Sequence, residues 1–304
     1  MLSVSVSHPA IRGTFVVHQG LIAVVGLSGA GKTTLFRALS GLLPVPAEMA
    51  WEGERFDHRP PHQRPLAYVP QHPSLVPHKT IAAQVRWVQA ASDADVESWR
   101  RMLALDALWH RYPRELSGGE QQRAALLRAL AANRPLLILD ESLSNVDKPH
   151  RDEIFGALAR TWKNRLLLFS THDWREAETW ADGVLYIERG TLYPVQERYR
   201  VAPLTPTMAR LMGFLGSVRD ADGQEWLLHP RLVKPGRHPS GHFVPGRLTV
   251  TALDPMQSHY RFESSAGVME WGGEPWPSGL YDGLTLTFGY AATGLDPAFK
   301  EGIS

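Results

Sequence analysis

The segment from Gly26 to Thr33 reads GLSGAGKT and matches the pattern G-x-x-x-x-G-K-[ST] at every fixed position. Glycines in such a loop let successive backbone N–H groups turn inward around phosphate oxygens. Lys32 supplies a charge for the β- and γ-phosphates, and the Thr33 hydroxyl is a suitable ligand for Mg²⁺. We therefore predict a nucleoside triphosphate and Mg²⁺ site at a phosphate loop that comprises Gly26, Leu27, Ser28, Gly29, Ala30, Gly31, Lys32 and Thr33, with Thr34 directly after it.

Two adjacent carboxylates end a second apolar run, RPLLILDES (134–142). A buried strand that delivers Asp140 at its C-terminal end suits Mg²⁺, which prefers hard oxygen ligands. Glu141 points in another direction and can polarise an attacking water as a general base, a role that is typically worth about 10²–10⁴ in rate. An acidic strand end is common by itself, and its combination with the phosphate loop favours the catalytic interpretation.

A third pattern, ELSGGEQQRAALLRAL (115–130), places Ser117, Gly118 and Gly119 at the start of a long helix. We call these three residues the signature turn. Their backbone donors, the hydroxyl and the helix dipole favour binding of an anion. The alternative is purely structural, because Ser117 and Glu120 also match the sequence of a capping box. The residues alone leave both interpretations open.

Short apolar runs alternate with helical patterns between Phe15 and Gly190. They predict strands at 21–25, 66–69, 136–140, 165–170 and 183–188, and helices at 32–41, 119–132, 148–163 and 173–182. Near-continuous apolar strands are typical of a parallel sheet that is covered on both faces. We therefore predict an α/β domain with a mostly parallel sheet, interrupted at 80–112 by a helical insertion.

The composition changes after Tyr193. An amphipathic stretch at 205–216 precedes about 90 residues rich in Gly, Pro and Trp, with alternating runs such as RLTVTAL and LTLTFGY. These features predict an appended all-β domain of the barrel or sandwich type. The expected organisation is an α/β domain at 1–200 with a helical subdomain at about 72–120, a linker helix at 201–216 and a β domain at 217–304.

Composition narrows the class of protein. Lys and Arg number 32 against 31 Asp and Glu, a formal net charge of +1, which argues against nucleic acid as a partner. The absence of Cys excludes disulfides and thiolate metal sites. No window reaches the ~20 apolar residues of a transmembrane helix, and the N-terminal segment lacks a signal-peptide pattern. We expect a soluble intracellular protein.

Together these motifs resemble those of one family, the nucleotide-binding subunits of ATP-binding cassette (ABC) transporters. LSGGEQQRAALLRAL is similar to the family signature, and LLILDE and SNVD (144–147) follow it at the family spacing. AYVPQHPSLVPHKT (67–80) resembles the Q-loop segment, and FSTHDWREAETWADGVLYIERG (169–190) resembles the segment of the switch histidine. The resemblance implies a P-loop cassette fold, with ATP as the nucleotide and Mg²⁺ as its metal.

The resemblance also implies that one chain cannot complete the reaction. In this family two cassettes pair head to tail, and each ATP lies between one phosphate loop and the signature of the other cassette. We therefore expect a homodimer in which Ser117, Gly118 and Gly119 bind the γ-phosphate that the opposite phosphate loop holds.

Further residues receive roles from the resemblance alone. Gln71 completes the Mg²⁺ shell or contacts the attacking water, His172 contacts the γ-phosphate, and Asp147 positions the loop of the opposing subunit. The chain departs from the family at Ser142, which stands where proline usually follows the catalytic glutamate. The family usually has an upstream aromatic residue for adenine, and here we expect Phe15 to pack under the sheet instead.

The C-terminal part resembles the TOBE domain of one importer subgroup. ARLMGFLGSV (209–218) is similar to the crossing into that domain, and WLLHPRLVKPG (226–236) is similar to a divergent form of its motif. This implies import through separate permease subunits at the cytoplasmic face of the membrane, with a solute-binding protein acting indirectly. The expected solute is an oxyanion such as molybdate. Import of ferric iron, thiamine or polyamine and a soluble, non-transport ABC ATPase are the alternatives.

Overall fold

The computed structural model of the chain describes residues 1–162, 165–193, 195–197 and 205–212, and beyond these the backbone of the strands named below. The chain divides into two compact units, Met1–Val201 and Ala202–Ser304. Among the helices of the described residues, none has the length and apolar character that a membrane crossing requires.

The first unit is built on one sheet. Its strands are β1 (Leu2–His8), β2 (Ile11–Val17), β3 (Gly20–Val25), β4 (Ala47–Trp51), β5 (Glu54–Arg55), β6 (Leu66–Val69), β7 (Leu136–Asp140), β8 (Leu166–Thr171), β9 (Gly183–Glu188), β10 (Thr191–Leu192) and β11 (Gln196–Glu197). Their order is β5-β4-β1-β2-β10-β9-β3-β8-β7-β6, and β11 pairs with β9. The pairs from β9 through β3, β8 and β7 to β6 are parallel, whereas β1, β2, β4 and β5 pair antiparallel. The predicted α/β sheet is confirmed, with an antiparallel part beside its parallel core.

The central strands bring the chemical residues to one edge of the sheet. Every residue of β3, β7 and β8 is buried, as the apolar runs predict for strands covered on both faces. Val25 of β3 is in register with Thr171 of β8, and Asp140 of β7 is in register with Ser170. Because parallel strands end at the same edge, the phosphate loop and the carboxylates that follow β7 emerge side by side.

Helices flank this sheet and begin close to the predicted positions. They are α1 (Lys32–Leu39), α2 (Ile81–Val88), α3 (Asp93–Met102), α4 (Gly118–Ala131), α5 (Lys148–Thr161) and α6 (Trp174–Trp180). Helices α1, α4, α5 and α6 begin within one residue of the predicted helices and end one or two residues earlier. Helices α2 and α3 lie within the predicted insertion and pack against α4.

Strand β1 is absent from the predicted strands. Its sequence LSVSVSH alternates, and Leu2, Val4 and Val6 are buried while Ser5 and Ser7 are exposed. This period of two is typical of a half-buried antiparallel strand, and β1 indeed pairs antiparallel with β2 and β4. Phe15 of β2 is 4% exposed and belongs to the hydrophobic core under this sheet, which confirms the prediction for its side chain.

A buried arginine fixes the end of α1, the helix that begins in the phosphate loop. Arg64 is 7% exposed, and its Nη1 donates to the carbonyls of Ala38 and Leu39 over 2.7 Å each. Its other nitrogens donate to the carbonyls of Asp57 (2.8 Å) and Arg59 (3.0 Å). The guanidinium therefore satisfies carbonyls at the negative end of the α1 dipole, where a cation is favourable.

We expect Arg64→Met to lower the free energy of unfolding by about 3 kcal/mol, because it leaves several buried carbonyls without a donor. Denaturant unfolding followed by circular dichroism measures this change. Arg55→Met is the matched control. Arg55 is 55% exposed and forms ion pairs with Glu48 and Asp57, and exposed pairs contribute little to stability. Equal unfolding midpoints for the two variants would contradict the role of Arg64.

The second unit contains α7 (Pro206–Leu211) followed by strands. They are β12 (Gly216–Arg219), β13 (Glu225–Leu228), β14 (Val233–Pro235), β15 (His242–Asp254), β16 (Gln257–Ser264), β17 (Gly267–Gly273), β18 (Gly279–Leu286) and β19 (Tyr290–Ala291). They form two sheets with the orders β12-β13-β19 and β14-β18-β15-β16-β17, and the pairs are antiparallel. Residues 229–232 of the predicted TOBE-like motif, and 201–204 and 213–215 of the predicted linker and crossing, lie outside the described residues.

Candidate active site

The phosphate loop connects β3 to α1 and has the backbone that its glycines predict. Gly31 precedes the first residue of α1 with φ 115°, in the left-handed region that favours glycine. A Cβ atom on Gly26 would lie 2.4 Å from the carbonyl oxygen of Ile187, so this position has no space for a side chain. Leu27, Ser28 and Gly29 are exposed. The loop therefore presents its backbone to solvent at the N-terminus of α1.

Lys32 places a buried cation at this loop. Its Nζ donates to the carbonyls of Gly26 (2.8 Å) and Leu27 (3.2 Å), and the side chain is 6% exposed. Burial lowers the pKa of Lys32, and the neighbouring Glu141 and Asp140 partly oppose this shift. An anion bound at the loop would further favour the charged ammonium, as phosphate binding requires.

Asp140 lies beside the phosphate loop and is held by three hydroxyl groups. Its Oδ1 accepts from Thr33 Oγ1 (3.2 Å) and Ser170 Oγ (3.0 Å), and its Oδ2 accepts from Tyr68 Oη (3.0 Å). Burial, followed by the charge of Asp140, raises the pKa of Tyr68, so the phenol remains a donor. Tyr68 and Ser170 carry no local sequence signal of this role, because only the register of β6 and β8 with β7 brings them to Asp140.

The donor set fits Mg²⁺. Thr33 and Asp140 present two hard oxygen atoms 3.2 Å apart at the mouth of the phosphate loop. Within the part of the chain that the structure describes, no three His, Asp or Glu side chains form a metal-binding group. Mg²⁺ commonly takes one or two protein ligands together with water and substrate phosphates, and the oxygens of Thr33 and Asp140 match that number.

Glu141 follows directly and faces Lys32. Its Oε1 lies 3.6 Å from Lys32 Nζ, and its Oε2 accepts from Gln71 Nε2 over 3.5 Å. The Glu141 backbone has φ 46°, a left-handed conformation that is uncommon for a residue with a side chain. Its N–H donates to Ser170 Oγ over 2.9 Å. The structure thus joins Lys32, Glu141 and Gln71, three of the predicted site residues.

Ser142, which replaces the family's proline, is 2% exposed, and its Oγ has no hydrogen-bond partner among the described residues. No hydrogen bond joins Ser142 Oγ to the carboxylate of Glu141. The departure from the family therefore affects the turn after Glu141 and leaves the predicted base in place.

His172 lies near Glu141. It directly follows β8, is exposed, and lines a cleft of about 200 Å³ together with Glu141 and Ser170. The preceding Thr171 fixes the start of this segment: its Oγ1 donates to Glu176 Oε2 (2.7 Å) and accepts from the Asp173 N–H (3.0 Å). His172 therefore shares a cleft with Glu141.

The signature turn is a separate feature. Ser117 caps α4: its Oγ accepts from the Glu120 N–H (3.3 Å), and its own N–H donates to Glu120 Oε2 (2.7 Å). Ser117 and Gly118 are exposed, and a Cβ atom on Gly119 would lie 2.8 Å from the Asn145 carbonyl oxygen. The capping box is therefore present, and it leaves the N-terminus of α4 open to solvent.

Asp147 caps α5, with its Oδ1 accepting from the His150 N–H over 3.1 Å. This backbone hydrogen bond lowers the pKa of Asp147, so the exposed carboxylate stays ionised. Among the contacts of the described residues, none joins Asp147 or Ser117 to Lys32. One chain brings together the phosphate loop, Asp140, Glu141 and Gln71, and leaves the signature turn and Asp147 outside that group.

Comparison with known proteins agrees with this site. The family described as "ABC transporter" matches residues 14–144. The chain is 35% identical over 206 residues to the thiamine import ATP-binding protein ThiQ of Ruegeria sp. (strain TM1040), covering 64% of this chain and 88% of ThiQ. It is 33% identical over 242 residues to the sulfate/thiosulfate import ATP-binding protein CysA of Mycobacterium bovis, covering 74% and 67%. The chain belongs to the ABC transporter family of ATPases.

One further relative is matched over only part of its length, and one solved structure has a similar fold. Identity is 36% over 202 residues to the molybdenum import ATP-binding protein ModC 2 of Bradyrhizobium diazoefficiens, which covers 62% of this chain but only 21% of that relative. The fold is similar to a solved dimeric, post-hydrolysis state of the ATP-binding cassette MJ0796 bound to ADP and Pi. The TM-score is 0.57 at 20% identity, covering 65% of this chain and 99% of the cassette. The family and the cassette fold predicted from the motifs are confirmed.

Proposed function

We propose that this chain is the ATP-hydrolysing subunit of an ABC importer. The position of Glu141 carries the proposal: its carboxylate lies 3.6 Å from the ammonium of Lys32, which is the group that binds the terminal phosphates. A carboxylate beside this ammonium is suited to act as the base that activates a water for attack on the γ-phosphate.

Each residue around Glu141 then has a chemical role. Lys32 and the loop N–H groups bind the β- and γ-phosphates, and Thr33, Asp140 and Gln71 would hold Mg²⁺, which neutralises charge on the phosphates when it is bound. Glu141 takes a proton from the attacking water. His172, on the same cleft, would contact the γ-phosphate and hold the geometry of attack.

A homodimer would complete the site. The signature turn is exposed at the N-terminus of α4 and lies outside the group that contacts Lys32, and such a helix terminus suits the γ-phosphate of a nucleotide on a second copy. Asp147 is exposed two residues after Asn145, whose carbonyl oxygen would lie 2.8 Å from a Cβ atom on Gly119, and there it would position the opposing subunit. Head-to-tail pairing gives two equivalent composite sites.

Import of an oxyanion such as molybdate is the transport reaction we propose. The relatives named above are import ATP-binding proteins for molybdenum, sulfate or thiosulfate, and thiamine, and another, 33% identical over 269 residues, is the spermidine/putrescine import protein PotA of Pseudomonas fluorescens. Thiamine, polyamine or ferric iron is the alternative solute. The partners would be integral permease subunits, with the chain at the cytoplasmic face of the membrane, a TOBE-like domain after 217, and a solute-binding protein acting indirectly.

Uptake of radiolabelled molybdate by cells that lack this chain tests the proposal. We expect uptake to fall about tenfold or more and to return with the wild-type chain but not with Glu141→Gln, because transport requires hydrolysis. Labelled sulfate, thiamine and spermidine are measured in parallel. Loss of one of these in place of molybdate would reassign the solute. Normal uptake of all four, together with recovery of the chain on ribosomes, would overturn the importer function.

A further inference from the structure

Gln122 is a buried amide in the first turns of α4, beyond the signature turn. The residue is fully buried, with 0% of its surface exposed. Its Oε1 accepts from the Asn145 N–H over 2.9 Å, and its Nε2 donates to Ser144 Oγ (3.4 Å) and to the Gln71 carbonyl (3.5 Å). One side chain therefore contacts both the segment of Gln71 and the loop that follows Glu141.

Both of these segments hold Glu141. The Gln71 side chain donates to Glu141 Oε2 (3.5 Å), and the Ser144 N–H donates to the Glu141 carbonyl (3.2 Å). The carboxylate and the backbone of Glu141 are thus each one residue removed from Gln122. A shift of either segment would move the base relative to Lys32.

The chemistry of these three contacts suits an amide. The Asn145 N–H needs an acceptor, whereas the Gln71 carbonyl needs a donor, and an amide offers both from one planar group. A methionine of similar length would remove all three hydrogen bonds. A glutamate would keep the acceptor for Asn145 and lose the N–H donors.

We propose that Gln122 is a positioning residue for hydrolysis: it fixes Gln71 and the 144–145 loop on either side of Glu141 and ties them to the helix that begins with the signature turn. The inference rests on the proposed role of Glu141 as the base. It predicts a loss of turnover without a loss of nucleotide affinity, because Gln122 has no contact with the phosphate loop among the described residues.

The test compares Gln122→Met with Gln84→Met in the purified full-length chain. Gln84, on α2, is 1% exposed; its amide bonds to backbone groups of Val76 and Lys79, and its Oε1 also accepts from Arg128 Nη1 over 3.3 Å. Both variants lose a buried amide and should lose similar stability. We expect Gln122→Met to lower kcat about tenfold or more, as misplacement of a catalytic group does, with Kd for a fluorescent ATP analogue unchanged. Gln84→Met should keep its kcat.

Gln122→Glu keeps the test open if Gln122→Met does not fold, and we expect it to lower kcat as well, since the donor to Gln71 is lost. Equal kcat for the Gln122 and Gln84 variants, or a Kd that rises in step with the loss of kcat, would overturn the inference. Glu141→Gln is measured alongside. If it hydrolyses ATP at the wild-type rate, the role of Glu141 as the base and this inference both fail, while the importer function is left to the uptake experiment; if it is inactive while Gln122→Met is fully active, only the inference fails.

Discussion

Glu141→Gln is expected to lower ATP turnover by about a hundredfold or more while ATP binding is retained, because an amide cannot accept the proton of the attacking water. The substitution also removes a negative charge 3.6 Å from Lys32 Nζ. The removal of this charge favours binding of the negatively charged phosphates. Nucleotide should therefore remain in the site and hold two copies together. Phosphate release measures turnover, and size-exclusion chromatography with ATP and Mg²⁺ measures the dimer.

Glu97→Gln is the control for the loss of one carboxylate charge. Glu97 is 49% exposed on α3 and pairs with Arg101, away from the residues that contact Lys32. It should hydrolyse ATP at the wild-type rate. Turnover by Glu141→Gln at the rate of this control would show that Glu141 is not the base.

The Ser117→Arg variant is expected to lose ATP turnover, whereas its monomer should still bind ATP. Ser117 is exposed and has no contact with Lys32 among the described residues, so a bulky side chain there would block the nucleotide held by a second copy and not the chain's own nucleotide. Steady-state hydrolysis and titration of dilute protein with a fluorescent ATP analogue separate the two effects.

The loss of a helix cap is controlled by Ser92→Arg. Ser92 caps α3 by accepting from the Asp95 N–H over 3.1 Å, so both variants lose a cap worth about 1 kcal/mol of stability. Only the Ser117 variant should lose turnover. Weakened ATP binding by Ser117→Arg monomers would contradict a site shared between copies.

A mixture of two inactive variants sharpens this test. Ser117→Arg and Lys32→Ala chains, mixed in equal amounts, should recover about a quarter of the wild-type rate, because half of the dimers are mixed and each of those has one intact composite site. Recovery requires that the signature turn and the lysine of one site come from different chains. A mixture as inactive as its components would exclude that arrangement.

Local patterns predicted most of the parallel core, and they also indicate the residues that we propose to bind phosphate. The phosphate loop, Asp140 and Glu141 each follow an apolar run, so the elements on either side identify them. The side chains that hold these residues are different. Ser170 reaches Asp140 only through the pairing of β8 with β7, and Gln122 reaches Gln71 across 51 positions of the chain. Such pairings follow from tertiary packing, which the spacing of one sequence does not encode.

The apolar pattern does not predict strand β1, for a different reason. Its alternation was visible, but a half-buried antiparallel strand has less apolar character than the runs that mark β3, β7 and β8. Arg64 carries no local signal either, because its carbonyl partners on α1 lie 25 and 26 positions earlier. Sequence patterns thus indicate the groups that we propose to act on the nucleotide and miss those that keep them in place.

The left-handed backbone of Glu141 has a consequence for how this chain can evolve. A residue with a side chain at φ 46° costs about 1–2 kcal/mol relative to an ordinary conformation, and glycine would not carry that cost. Selection for thermal stability alone would therefore favour glycine at this position, and the proton acceptor would be lost. A glutamate at this position therefore lowers the stability of the fold in exchange for the direction in which one carboxylate points.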